Sequence, residues 1–94
     1  MAEIKELIDL NKVCRICLRG NKQTYDIFSS YYARRNILYS AVLTFCTNRR
    51  TESCDGLPPF LCRGCSICLE RAFEFKLQCE ESERKLKVLL VYSS

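Results

Sequence analysis

Ninety-four residues make one small domain, and a chain of that size hides only about two-thirds of its unfolded surface, so its core needs a further source of stability. Apolar residues at 48% and charged residues at 28% exclude a disordered or low-complexity chain. Eight cysteines and no histidine exclude Ser-His and Cys-His nucleophilic pairs, His-based zinc catalysis and two-Cys two-His fingers, each of which needs an imidazole. The formal charge of +4 is mild, and four thiolates on one Zn²⁺ would lower it to about +2, which is no strong polyanion magnet.

In chain order, Ile4, Leu7 and Ile8 repeat at helical spacing, compatible with one or two turns or with a frayed end, and residues 1–13 are read as an N-terminal extension. The start lacks the basic and apolar regions of a secretory signal, and no stretch approaches the roughly 18 apolar residues of a membrane span. A reducing, cytosolic or nuclear compartment follows, where paired cysteines signal metal rather than disulfides. Cys14-Arg15-Ile16-Cys17-Leu18-Arg19-Gly20 reads as a zinc knuckle, with Gly20 the candidate for the positive φ that turns the chain. After the polar turn at residues 21–23, Thr24 to Phe28 alternates as a short strand.

From about Arg34 to Cys46, Leu38, Ala41, Val42, Phe45 and Cys46 fall at helical spacing, with Asn36 or Ser29-Ser30 as caps. A strand through Tyr39, Ala41, Leu43 and Phe45 is the competing pattern. Residues 47–56 have loop composition. Leu57-Pro58-Pro59 then sets the start of a long helix from Phe60 to about Tyr92, on which Cys65, Leu69, Ala72, Phe73, Cys79, Leu86 and Leu90 fall near one stripe. Phe73, Phe75 and Cys79 are expected to pack on the middle helix. Glu80, Glu81 and Glu83 stand among Arg84, Lys85 and Lys87 and read as a solvated helix face, so no enzyme is expected.

Two C-x-x-C pairs, Cys14/Cys17 and Cys62/Cys65, make a tetrahedral Cys₄ site for one structural Zn²⁺ per chain. Four sulfurs leave no open coordination position for catalysis. Cys62 and Cys65 are placed on one face of the long helix's first turn, where free N–H groups and the dipole stabilise thiolates. Arg15, Arg19 and Arg63 are candidates to offset the site's charge. A knuckle, a short hairpin, a middle helix and a long C-terminal helix give a small α+β zinc-bound domain of treble-clef-like form. Cys68 lies one turn beyond Cys65, Cys46 and Cys79 read as core, and Cys54 as a loop residue. A two-zinc cross-brace is rejected because the second half lacks a terminal C-x-x-C pair.

These residues resemble the zinc-finger-associated domain (ZAD) found at the N-termini of transcription factors with two-Cys two-His fingers. The matching text is Cys14-Arg15-x-Cys17-Leu18, Asp26-Ile27-Phe28, Leu57-Pro58-x-x-Leu61-Cys62-x-x-Cys65, and Leu69-x-x-Ala72-Phe73-x-Phe75-Lys76-x-x-Cys79-Glu80-x-Ser82-x-x-x-Leu86. The resemblance implies ligation by Cys14, Cys17, Cys62 and Cys65, a ZAD-type domain over residues 14–92, homodimerisation, and DNA reading by fingers outside this chain in a nuclear protein. The longer segment before Cys14 and Cys54 at a usually acidic loop position depart from the pattern without touching the ligand set.

The helix independently argues for a partner. Its 33 expected residues at 1.5 Å each span about 50 Å, more than a compact domain of this size. The overhang carries Leu86, Val88, Leu89, Leu90, Val91 and Tyr92, which a soluble monomer would not leave wet. Leu86, Leu89 and Leu90 are the candidate anchors of a two-fold homodimer. The rival reading is a direct nucleic-acid-binding module using Arg34-Arg35, Arg49-Arg50 and the basic residues around the knuckles, with Tyr25, Tyr31 and Tyr32 stacking.

Overall fold

The computed structural model describes residues 13–20 and 23–93. The N-terminal helical pattern around Ile4, Leu7 and Ile8, and most of the polar turn after Gly20, lie outside the described residues. Strand β1 (Thr24–Asp26) pairs antiparallel with β4 (Phe60–Cys62), placing Thr24 opposite Cys62 and Asp26 opposite Phe60. Strands β2 (Tyr31–Tyr32) and β3 (Ile37–Leu38) form a second small antiparallel pair. Helix α1 (Tyr39–Thr47) follows β3, and helix α2 (Arg63–Ser93) follows β4.

Asp26 ends β1 sooner than the alternation predicts. Its carboxylate accepts the Phe28 N–H at 2.9 Å, and its carbonyl accepts those of Ser29 and Ser30. Such a side-chain-stabilised turn competes with continuing the strand. The same turn then caps α1. The carbonyls of Ser30 and Ile27 accept the N–H groups of Tyr39 and Ser40 at 3.1 and 2.9 Å. Neither Asn36 nor the Ser29-Ser30 side chains act as the cap: Leu38 holds that position without a side-chain bond. The middle helix therefore starts at Tyr39 rather than Arg34, because Asn36 takes a left-handed φ of 55° and closes the turn between β2 and β3. The competing strand pattern is not adopted; Tyr39, Val42 and Leu43 are buried at helical spacing. Asn48, at φ 57°, ends the helix by donating its N–H to the Thr44 carbonyl.

The last helix starts three residues later than expected, at Arg63, since Phe60-Leu61-Cys62 is taken by strand pairing. The core joins Ile27, Tyr32, Tyr39, Val42, Leu43, Leu61, Leu69 and Phe73. The Phe73 ring meets Phe45 at 5.1 Å and Tyr32 edge-on at 5.9 Å. Two further expected core residues face outward: Phe75 is 73% exposed and Cys79 is exposed. They lie on the side of α2 opposite Ser66, Leu69 and Phe73. The stripe read from the sequence merged two faces of one helix, because spacings of three and four accumulate error around a 3.6-residue turn.

Glu74 fastens α2 to the β2–β3 pair. Its carboxylate accepts the Tyr32 hydroxyl at 2.8 Å and the Arg35 guanidinium at 2.5 and 2.9 Å. Glu70 accepts the Tyr39 hydroxyl at 2.7 Å. Lys76 closes the other end of α1, donating to the Phe45 carbonyl and to Asn48 while its ammonium lies 4.4 Å from the Phe45 ring centre.

Candidate metal centre

Cys14 and Cys17 come from the knuckle, which a short bridge between Val13 and Gly20 closes. The Cys14 N–H donates to the Arg19 carbonyl, and the Leu18 N–H to the Cys14 carbonyl at 3.0 Å. Leu18, not Gly20, takes the left-handed conformation, with φ 64°. Cys14 also bridges β4 at Phe60, whose carbonyl accepts the Arg15 N–H at 2.7 Å. The knuckle is thus stitched to the strand that delivers the third ligand.

Cys62 is the last residue of β4 and Cys65 lies in the first turn of α2. The pair therefore straddles a strand–helix junction instead of sharing a helical turn. Cys62 Sγ accepts the Cys65 N–H at 3.4 Å, which makes the sulfur the N-cap of α2. A ligand at the cap stands at the positive end of the helix dipole, which favours a thiolate.

The four sulfurs of Cys14, Cys17, Cys62 and Cys65 all lie within 4.8 Å of one another. The Sγ atoms of Cys17 and Cys62 are 3.8 Å apart. A regular tetrahedron with Zn–S bonds of about 2.3 Å has edges of about 3.8 Å, so the donor set fits Zn²⁺ in size and in chemistry. These four cysteines are positioned to bind one zinc ion. Cys68 and Cys54 are exposed and outside this group, and Cys46 is half-buried against the core.

Backbone N–H groups supply the charge compensation. Those of Ile16 and Cys62 both point to Cys14 Sγ at 3.4 Å. Burial opposes ionisation of Cys14, but N–H groups of Cys17, Cys62 and Ile16 together overcome it and pull the thiol down to about 6. Burial and the adjacent Cys62, Cys14 and Cys17 thiols push Cys65 the other way, upward. A divalent cation amid the four would remove that mutual opposition and hold all as thiolates. Arg15, expected to offset the site, is instead ion-paired with Asp55 and donates to the Pro58 carbonyl at 3.3 Å. The Arg15 hydrogen bond, then the Leu57 N–H, hold the Asp55 carboxyl below its ordinary value. The knuckle is thereby clamped to the 52–58 loop.

A knuckle carrying two ligands, an intervening hairpin and a helix carrying the last ligand define a treble-clef-like Cys₄ zinc domain. The profile of the family described as "Zinc-finger associated domain (zf-AD)" matches residues 13–89. The chain belongs to that family. A relative, Zinc finger protein kipf of Drosophila melanogaster, is 36% identical over 76 residues, covering 74% of this chain. The match spans 17% of the relative's length.

Proposed function

We propose that this chain is a zinc-stabilised homodimerisation module of a nuclear, DNA-binding transcription factor, with residues 14–92 as the domain and 1–13 as an extension. Its partner is a second copy of itself, and DNA is read by fingers outside this chain. The role is architectural, with no catalytic step.

One observation carries the reading. On the outer face of α2, Cys68, Ala72, Phe75, Cys79, Ser82, Leu86 and Leu89 alternate at spacings of four and three, the a/d pattern of a two-helix seam. Leu86, Leu89 and Leu90 are 58%, 62% and 66% exposed, and Phe75 lies on the same side. Helix α2 has 31 residues, or about 46 Å of length. The molecule measures 62 × 30 × 23 Å with a radius of gyration of 17.3 Å, whereas a compact chain of this length has about 12 Å. An apolar seam on such an overhang is what a two-fold partner covers.

Linking two finger arrays turns the second DNA contact into an intramolecular event, which tightens binding by about 10²- to 10⁴-fold without new base contacts. The nucleic-acid reading has less support, because Arg15 and Arg35 are held by Asp55 and Glu74. The test is a double variant, Leu86→Asp with Leu90→Asp, whose expected product is a zinc-loaded, folded monomer by sedimentation. A variant that stays dimeric would place the interface elsewhere.

A further inference from the structure

A groove of about 340 Å³ lies between the zinc knuckle, α1 and the following loop, away from the seam of α2. Arg15, Ile16, Leu43, Arg49, Arg50 and Leu57 line it. Leu43 is buried, while Ile16 and Leu57 are 50% and 57% exposed. Three aliphatic side chains therefore share one concavity with three guanidinium groups and the Asp55 carboxylate.

The groove is held in shape. Ile16 sits between two zinc ligands with its N–H on Cys14 Sγ. Arg15 grips Asp55, and the Asp55 carboxylate accepts the Leu57 N–H at 3.0 Å. The knuckle, bridged to β4 at Phe60, thus fixes one wall, and the Arg15–Asp55 pair fixes the loop against it. That pair also cancels its own charge, leaving Arg49 and Arg50 as the net charge of the lining. Arg50 meets Glu52 at 3.5 Å, with side chains 89% and 51% exposed. A pair so exposed contributes little and exchanges readily for another carboxylate.

We propose that this groove docks a short acidic segment of a partner protein. One aliphatic residue of that segment packs over Leu43 between Ile16 and Leu57, and its flanking carboxylates meet Arg49 and Arg50. Guanidinium forks suit carboxylates by bidentate pairing, and the volume suits one or two side chains. A nucleic-acid strand fits less well, since the lining offers no aromatic ring for base stacking and would set aliphatic surface against phosphate. The inference rests on the zinc site and not on dimerisation, because no α2 residue lines the groove among the described residues.

The test is amide NMR on the zinc-loaded chain, titrated at low salt with an end-blocked Asp-Asp-Leu-Glu-Glu peptide. Saturable shifts are expected at Ile16, Leu43, Arg49, Arg50 and Leu57. They should vanish in Arg49→Glu/Arg50→Glu and in Leu57→Asp, two independent surface changes that should both leave zinc content intact. Replacing the peptide's leucine by serine should weaken binding about tenfold, as removing a mostly buried aliphatic side chain does. No saturable shift up to millimolar peptide, equal binding of the serine peptide, or a short DNA duplex moving the same amides more tightly would each overturn the proposal. Dimer mass is unaffected by any of these outcomes, so failure here is distinct from failure of the dimerisation reading.

Discussion

Phe73 and Phe75 stand two positions apart on one helix and have opposite fates. Phe73 is 6% exposed and packs among Phe45 and Tyr32. Phe73→Ala should therefore cost about 3–5 kcal/mol in denaturant unfolding of the zinc-loaded chain. Phe75→Ala should leave the unfolding of a monomeric background within about 0.5 kcal/mol, while weakening self-association. Similar costs for both would show that Phe75 belongs to the monomer core. Among the cysteines, Cys62→Ser separates ligation from capping, because serine is itself a good N-cap. That variant should lose zinc by metal analysis and lose its helical circular dichroism, since the metal supplies on the order of 10 kcal/mol to folding. Cys54→Ser, in an exposed loop, should change neither. The four ligands were legible because two C-x-x-C pairs state both the chemistry and the geometry. Leu18 was not, because a knuckle's left-handed residue follows from how two sulfurs converge, and glycine only makes that conformation cheap.

At the scale of elements, α2 carries two faces with the same three-four spacing. Ser66, Leu69 and Phe73 turn inward, and the four-three alternation from Cys68 to Leu89 turns outward. A pattern of apolar residues reveals that a helix is amphipathic but does not say which stripe meets its own domain. That is why Phe75 and Cys79 were misplaced and Phe73 was not. The helix itself, the short β1 strand and the loop after α1 were readable from periodicity and from the Pro58-Pro59 break. Strand β4 was not, and its residues were assigned to the helix, since its partner β1 lies over thirty residues away. The attachment of α2 through Glu74 gives a pH signature. The Arg35 guanidinium, then the Tyr32 hydroxyl, hold the Glu74 carboxyl down at about 2, from an ordinary 4.5. Because the folded value is the lower one, this contribution is full above 4.5 and fades as the pH falls toward 2. In Arg35→Ala the carboxyl's titration should move up toward 4.5, read from its side-chain carbon resonance in the folded chain. An unmoved midpoint would show that Arg35 does not hold it.

For the whole molecule, the cysteine cluster and the exposed end of α2 lie at opposite ends of one long helix. A zinc ion held by Cys14, Cys17, Cys62 and Cys65 would fasten the knuckle, β4 and the cap of α2 at one end. Burial of Leu69 and Phe73 fixes the middle turns, and the far turns project with Leu86, Leu89 and Leu90 exposed. Among the described residues no helix is long and apolar enough to cross a membrane. The most direct measurement is the solution mass of the unmodified, zinc-loaded chain by sedimentation equilibrium at tens of micromolar. The expected result is twice the 11.0 kDa chain mass, with one zinc per chain. A species of single-chain mass that keeps its zinc at that concentration would contradict the dimerisation account, because a standard-sized interface would have formed.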